Sequence, residues 1–139
     1  MIGKSGSSGK MEKGTTLVAS NTRVVGDIRF SDQLSLVGVI EGNVIAEDGD
    51  KATVIVSEEG RVIGEIRSPH VVINGSVEGN VFASERVELA SKARVKGNVH
   101  YKLIEMQLGA MVDGQLLHSE DASNVHTLAI GSDESSESS

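Results

Sequence analysis

The chain has 139 residues, a formal net charge of −7, no Cys, no Trp, one Tyr and two Phe. The lack of Cys excludes disulfides and thiolate metal sites, and the acidic balance argues against nucleic acid as a partner, because phosphate binding needs a basic face. No apolar run reaches the roughly 18 residues of a membrane span, and no apolar segment typical of a secretory signal follows Met1.

Residues 1–16 consist mainly of Gly, Ser, Lys and Thr. Such a segment buries too little apolar surface to offset the entropy lost on ordering. We therefore expect a disordered N-terminal tail.

A five-residue pattern then recurs six times: aliphatic, any residue, Gly, polar, aliphatic. The aliphatic residues two positions before and after each glycine share one side of an extended chain. The glycines step by 16, 22, 15, 18 and 17 residues. The copies occupy residues 24–28, 40–44, 62–66, 77–81, 95–99 and 112–116.

A second apolar pair recurs in its own phase with the same period near 17. Three short strands per turn fit this period, with successive turns paired in parallel about 4.8 Å apart. The sequence thus predicts an all-β, single-chain, three-sided parallel β-helix of about six turns over residues 17–118. The pairs are Leu17 and Ala19, Leu34 and Leu36, Val54 and Val56, Val71 and Ile73, Val87 and Leu89, and Ile104 and Met106.

The sequence leaves the role of the repeat glycines open. Each glycine either adopts a positive φ at a corner or lies within a strand where a side chain would not fit. The flanking aliphatics favour the second interpretation or a bulge. Residues 47–51 are interpreted as an outward corner loop, and Pro69 is expected at the opening of a strand or at a corner.

Residues 119–139 contain five acidic residues and no Lys or Arg. We expect an acidic, Ser-rich and disordered C-terminal tail.

The two ends of the predicted stack suggest its function. A parallel stack leaves unpaired backbone groups on its first and last turns, and such edges pair readily with another chain. Neither flank resembles the polar capping repeat of a monomeric solenoid, so we expect end-to-end association into a homopolymer. The alternative is that residues 119–130 fold back and cap the C-terminal end. The predicted interface comprises Leu17, Val24, Ile28, Phe30, Ile104, Met106, Leu108, Met111, Val112, Leu116 and Leu117.

No pattern in the sequence predicts catalysis, a cofactor or a metal site. Gly3-Lys4-Ser5 lacks the remaining glycine of a phosphate-binding loop. His100 and His118 are one position out of register relative to their repeat glycines, so their side chains should point to different sides.

The sequence resembles the bactofilins, the bacterial polymer-forming cytoskeletal proteins. The resemblance covers roughly residues 15–118 and is carried by the Thr15–Val18 entry and the motif copies at 24–28, 40–44, 78–81 and 96–99, in the expected order. It implies a right-handed β-helix that polymerises without nucleotide into non-polar filaments. It also implies roles in cell shape, envelope-synthesis localisation or appendage positioning, often at the cytoplasmic membrane.

The first residues are similar to a short membrane-binding segment of some bactofilins. Met1, Ile2 and Lys4 match it. One such segment binds weakly, since each Lys near an anionic surface contributes about 1 kcal/mol, but a polymer displaying many copies gains from multivalency. The alternative is a solvated linker.

We therefore expect a non-enzymatic cytoskeletal protein of the cytoplasm, peripheral at the membrane, that assembles end to end and has itself and envelope-synthesis or morphogenesis proteins as partners. The alternative function is a discrete β-helix module that recruits a peptide or enzyme partner on a flat face.

Overall fold

The computed structural model of the protein describes residues 14–47 and 51–119. The predicted membrane segment and nearly all of both predicted tails lie outside these residues. The described residues form sixteen β-strands and no helix, which confirms the all-β prediction.

The strands complete six turns of a parallel β-solenoid. Turn one contains β1 (Thr15–Val18), β2 (Arg23–Val25) and β3 (Ile28–Phe30), and turn two contains β4 (Gln33–Leu36), β5 (Val39–Glu41) and β6 (Val44–Ala46). Turn three runs through β7 (Thr53–Val56), β8 (Arg61–Ile63) and the first half of β9 (Ile66–Ile73). Turn four takes the second half of β9, β10 (Ser76–Glu78) and the first half of β11 (Val81–Leu89). Turn five takes the rest of β11, β12 (Arg94–Lys96) and β13 (Val99–Tyr101), and turn six contains β14 (Leu103–Met106), β15 (Met111–Asp113) and β16 (Leu116–His118).

Three flat faces result from this winding, because each turn contributes one strand to each face. Face A contains β1, β4, β7, the second halves of β9 and β11, and β14. Face B contains β2, β5, β8, β10, β12 and β15 in that order. Face C contains β3, β6, the first halves of β9 and β11, β13 and β16. All pairs are parallel, as the three-strand period predicts.

The core is a narrow aliphatic column enclosed by the three faces. The eight aliphatic side chains that flank Gly42, Gly64, Gly79 and Gly97 are at most 1% exposed. Val and Ile suit this interior because β-branched side chains pack well on pleated strands, and Leu34, Leu36 and Leu89 fill further inward positions. Burial of these residues in every middle turn supplies the main apolar stabilisation.

The first turn differs from the predicted pattern by one residue. The register places Thr16 opposite Leu34 and Val18 opposite Leu36, so these two residues point inward. Leu17 stands opposite Ser35 on the outer side of face A and is 63% exposed. The recurring apolar pair in the sequence aligns Leu17 and Ala19 with Leu34 and Leu36, whereas the register aligns Thr16 and Val18 with them, so a polar Thr occupies an inward position of this end turn.

The repeat glycines lie at the corner between faces B and C, so the favoured strand or bulge interpretation is wrong. Gly79 has φ +149° and separates β10 from β11. A Cβ added there would lie 2.2 Å from the carbonyl oxygen of Gly64, one turn earlier. The two-residue corner preserves the strand alternation, which is why the flanking aliphatics resemble one continuous strand in the sequence.

The polar residue after most corner glycines links successive turns. The backbone N–H of Asn43 donates to Asp27 Oδ1 at 2.9 Å. Similarly, Asn98 N–H donates to Asn80 Oδ1 at 2.9 Å, and Gln115 N–H donates to Asn98 Oδ1 at 3.0 Å. A side-chain carboxylate or amide oxygen at this position thus satisfies a corner amide that the strand ladder leaves unpaired.

The remaining corners accommodate the other special residues. Pro69 lies inside β9 at the corner from face C to face A, where the pairing with β11 shifts register. Asp32 adopts φ +71° at the equivalent corner of turn one, a conformation that Asp tolerates better than most residues. Of the predicted loop at 47–51, residues 48–50 lie outside the described residues.

The stacked corner glycines predict that a Gly→Ala substitution lowers stability less at Gly26 than at Gly79. Gly26→Ala places a Cβ with no atom within 4 Å at φ +123°, so only backbone strain of about 1–3 kcal/mol opposes it. Gly79→Ala adds the contact with the Gly64 carbonyl group and should lower the free energy of unfolding by roughly a further 1–3 kcal/mol. Urea denaturation followed by circular dichroism measures both; equal losses would contradict the stacking argument.

Candidate assembly interface

The functional candidates are the two ends of the solenoid, where the strands pair on one side only. At the N-terminal end these strands are β1, β2 and β3, and at the C-terminal end they are β14, β15 and β16. Within the described residues, nothing pairs with their outer edges. Each end therefore presents three short rows of backbone donors and acceptors that fit another strand edge.

At the N-terminal end the outer strand edges are unpaired, but the inward side chains are mostly covered. Val24 and Ile28 point inward but are only partly buried, because no described turn precedes them. Phe30 also points inward and is 5% exposed. Of the predicted interface residues of turn one, Val24, Ile28 and Phe30 thus belong to the end surface, whereas Leu17 lies on face A.

The C-terminal end exposes more of its inward side chains. Ile104 and Val112 are partly buried, while Met106 is 46% exposed and Leu116 is 42% exposed. Their counterparts one turn earlier, for example Leu89 opposite Met106, are at most 1% exposed. These four residues form a contiguous apolar surface, which we call the C-terminal end surface.

Three other predicted residues of the last turn lie on its flanks. Met111 stands opposite Arg94 on the outer side of face B and is 59% exposed. Leu117 stands opposite His100 on the outer side of face C. Leu108 is 95% exposed in the corner turn closed by the hydrogen bond from Ala110 N–H to the Gln107 carbonyl group. These three side chains border the C-terminal end surface without forming it.

One inward position varies in size along the rod. The registers place Phe30 opposite Ala46 and Tyr101 opposite His118. The residues of this position are, in turn order, Phe30, Ala46, Ser68, Ala83, Tyr101 and His118. Small residues fill the middle turns and rings fill both end regions. The sequence alone does not identify Tyr101 and His118 as residues of the same inward position as Phe30, because only the strand register shows this relation.

The histidines of the last two turns lie on opposite sides of face C, as their offset predicts. His100 points outward, where its ring stacks on Phe82 with centroids 4.5 Å apart, and the Arg67 guanidinium lies 4.1 Å from the Phe82 ring centroid. His118 points inward, with its ring centroid 5.6 Å from that of Tyr101. Within residues 14–47 and 51–119, no cluster of His, Cys, Asp and Glu has the arrangement of a metal site.

Ion pairs connect neighbouring turns along the outer faces. Arg23 pairs with Glu41 and Arg61 with Glu78 on face B, and the Arg61–Glu78 distance is 2.6 Å. Arg86 pairs with Glu105 on face A. Exposed pairs of this kind contribute only about 0–1 kcal/mol each. They therefore link neighbouring turns without supplying much of the stability.

No helix in the described part of the chain is long and apolar enough to cross a membrane. The predicted membrane-binding residues Met1, Ile2 and Lys4 lie outside that part.

The fold and its ends define a class of protein: a parallel β-solenoid with unpaired strand edges on both terminal turns. Comparison with known protein families identifies the family to which this fold belongs. The family model described as "Bactofilin: Polymer-forming cytoskeletal" matches residues 16–117. The chain belongs to the bactofilin family, and the resemblance in its sequence is confirmed.

Two relatives come from Myxococcus xanthus strain DK1622. The chain is 30% identical over 101 residues to bactofilin BacO, an alignment that covers 73% of this chain and 77% of BacO. It is 26% identical over 101 residues to bactofilin BacP, covering 73% of this chain and 40% of BacP. No solved structure matches the chain.

Proposed function

We propose that this bactofilin assembles end to end into filaments through its terminal turns. The observation that carries the proposal is the exposure of inward-pointing side chains on both end turns, together with their one-sided strand pairing. A second copy stacked on the C-terminal end surface buries Met106, Val112 and Leu116 as the middle turns bury their equivalents. Full burial of an aliphatic side chain contributes about 1.5–3 kcal/mol.

Assembly of this kind needs no nucleotide. Burial of apolar side chains and pairing of strand edges proceed spontaneously, and neither step requires phosphate hydrolysis. The protein acts as a structural element rather than as an enzyme, in agreement with the polymer-forming description of its family.

The filament scaffolds cell-shape or envelope-associated processes from the cytoplasmic side of the membrane. End-to-end stacking leaves faces A, B and C of every subunit accessible, so one filament displays a repeated surface to morphogenesis or envelope-synthesis proteins. Multivalent display strengthens individually weak contacts by raising the effective concentration.

A second candidate function is a discrete module that holds a peptide or enzyme partner on a flat face. The row of Arg67, Phe82 and His100 on face C favours this alternative, because Arg and aromatic side chains are enriched in binding hot spots. This module would remain a monomer at all protein and salt concentrations.

Negative-stain microscopy of the protein without nucleotide should show filaments, and Leu116→Lys should abolish them. The reason is that a Lys at the C-terminal end surface would be buried without a partner on stacking. Ile63→Lys is the matched control: Ile63 is 37% exposed on face B in the middle of the rod and pairs in register with Glu41 and Glu78.

The control variant should form filaments like the unmodified chain, and circular dichroism should show β-structure in both variants. Filaments that persist in Leu116→Lys, or a monodisperse monomer of the unmodified chain, would contradict end-to-end assembly through this surface.

The N-terminal segment supplies the proposed membrane contact. Deleting residues 1–13 should abolish co-sedimentation with anionic liposomes while leaving filament formation intact, because the deletion stops short of β1. A variant with Lys10 and Lys13 changed to Ala but Met1, Ile2 and Lys4 retained serves as the control. Undiminished co-sedimentation after the deletion would refute the role of this segment.

A further inference from the structure

The C-terminal end surface contains a methionine at a position that is aliphatic in every other turn. Met106 is the last inward residue of β14 and stands opposite Leu89. The registers along face A place it in line with Val18, Leu36, Val56, Ile73 and Leu89. Each of these five residues is at most 5% exposed, whereas Met106 is 46% exposed. Within residues 14–47 and 51–119, the only thioether at an inward position therefore lies at the end where it reaches solvent.

The backbone around Met106 holds this side chain at the end surface. β14 pairs with β11 along its whole length, from Leu103 opposite Arg86 to Met106 opposite Leu89. Immediately after the strand, Gln107 N–H donates to the Leu89 carbonyl oxygen at 2.9 Å. The thioether is thus accessible to solvent in a free subunit and to a second copy in an assembled one.

Methionine differs from the aliphatic residues at this position because its sulfur can be oxidised. A peroxide transfers an oxygen atom to a lone pair of the thioether sulfur. The O–O bond breaks, the peroxide is reduced, and with hydrogen peroxide the other oxygen leaves as water. The product, methionine sulfoxide, is polar, and methionine sulfoxide reductases return it to the thioether. The chain contains no Cys, so its methionines are its most readily oxidised side chains.

A sulfoxide at Met106 opposes stacking rather than folding. In the free subunit the sulfoxide oxygen stays in contact with water, because this side chain is already exposed. Stacking of a second copy removes that water and leaves the S=O group in an apolar layer, where the equivalent residues of the middle turns are aliphatic. Burial of a polar group without a hydrogen-bond partner is unfavourable.

We propose that Met106 is a reversible oxidation site that controls the addition of subunits to the C-terminal end surface. Peroxide oxidises the exposed thioether of a free subunit, and the sulfoxide blocks stacking until it is reduced. Subunits that are already stacked are protected, because the second copy covers the sulfur. The oxidation itself is a property of the free subunit, whereas its effect on assembly rests on the proposed function.

Oxidation footprinting with mass spectrometry tests the accessibility of Met106. Free subunits and sedimented filaments receive the same brief treatment with hydrogen peroxide, and the oxidised fractions of Met106 and Met111 are measured. Met111 is 59% exposed on the outer side of face B and serves as the control within the same chain. Met106 should oxidise severalfold more slowly in filaments than in free subunits, while the rate at Met111 changes much less. Equal oxidation of Met106 in both states would place the assembly contact elsewhere and overturn the proposal.

Leucine substitutions separate Met106 from the other methionines. Met106→Leu cannot be oxidised at this position and introduces the residue that turn five has there, Leu89. Met111→Leu is the matched control, and exchanges between Met and Leu usually cost little stability. After peroxide treatment, the unmodified chain and Met111→Leu should need a severalfold higher protein concentration to form filaments, whereas Met106→Leu should assemble as before treatment. Met1 and Met11 remain in all three chains, so they cannot produce this difference. Equal sensitivity of Met106→Leu and the unmodified chain would contradict the role of Met106.

Reversal and folding controls complete the test. Methionine sulfoxide reductases with a thiol reductant should restore assembly of the oxidised chain, and circular dichroism should show the same β-structure before and after oxidation. Loss of β-structure on oxidation would attribute the effect to unfolding and overturn the proposal. If the untreated chain forms no filaments, the proposed function fails and the effect on assembly fails with it. If filaments form and protect Met106 but oxidation leaves the assembly concentration unchanged, only the control by Met106 fails.

Discussion

The structure depends on how closely successive turns approach at the corner between faces B and C. A Cβ on any corner glycine after the first would lie 2.0–2.2 Å from the carbonyl oxygen of the preceding corner glycine, a distance that no side chain allows. This contact keeps the corners in line, so that faces built from strand segments of mostly three or four residues stay in register. The aliphatic core, the polar corner residues and the flat faces all follow from that alignment.

A stack built in this way has no internal reason to stop after six turns. Its first and last turns carry the same backbone pattern as the middle ones, but only one neighbour each among the described residues. At one inward position the end turns contain larger residues than the middle turns. These residues are Phe30 in the first turn and Tyr101 and His118 in the last two. Phe30 is only 5% exposed, but Met106 and Leu116 in the last turn remain 46% and 42% exposed. Adding a further layer of strands at either end would therefore bury more apolar side chain and pair more backbone groups than adding one elsewhere.

Most of this fold could be predicted from the sequence, because the spacing of the repeat glycines and of the two recurring aliphatic pairs gives the number of residues in each turn. The failures occurred where local pattern and geometry diverge. The apolar pattern aligns Leu17 with Leu34 because Thr16 is polar, whereas the register aligns Thr16 with Leu34. An end turn tolerates a polar inward residue better than a middle turn. The sequence does not reveal that the glycines form corners, because a two-residue corner leaves the inward and outward alternation of side chains unchanged. Tyr101 and His118 became candidates only when the register placed them in line with Phe30.

The central claim is that the solenoid axis and the filament axis coincide, with subunits meeting through their terminal turns. Cryo-electron microscopy of the filaments tests it most directly. The account predicts strands perpendicular to the filament axis and an axial spacing between subunits of about 30 Å, the height of six strand layers. Filaments whose subunits meet through faces A, B or C, with Val24 and Leu116 left in solvent, would contradict it.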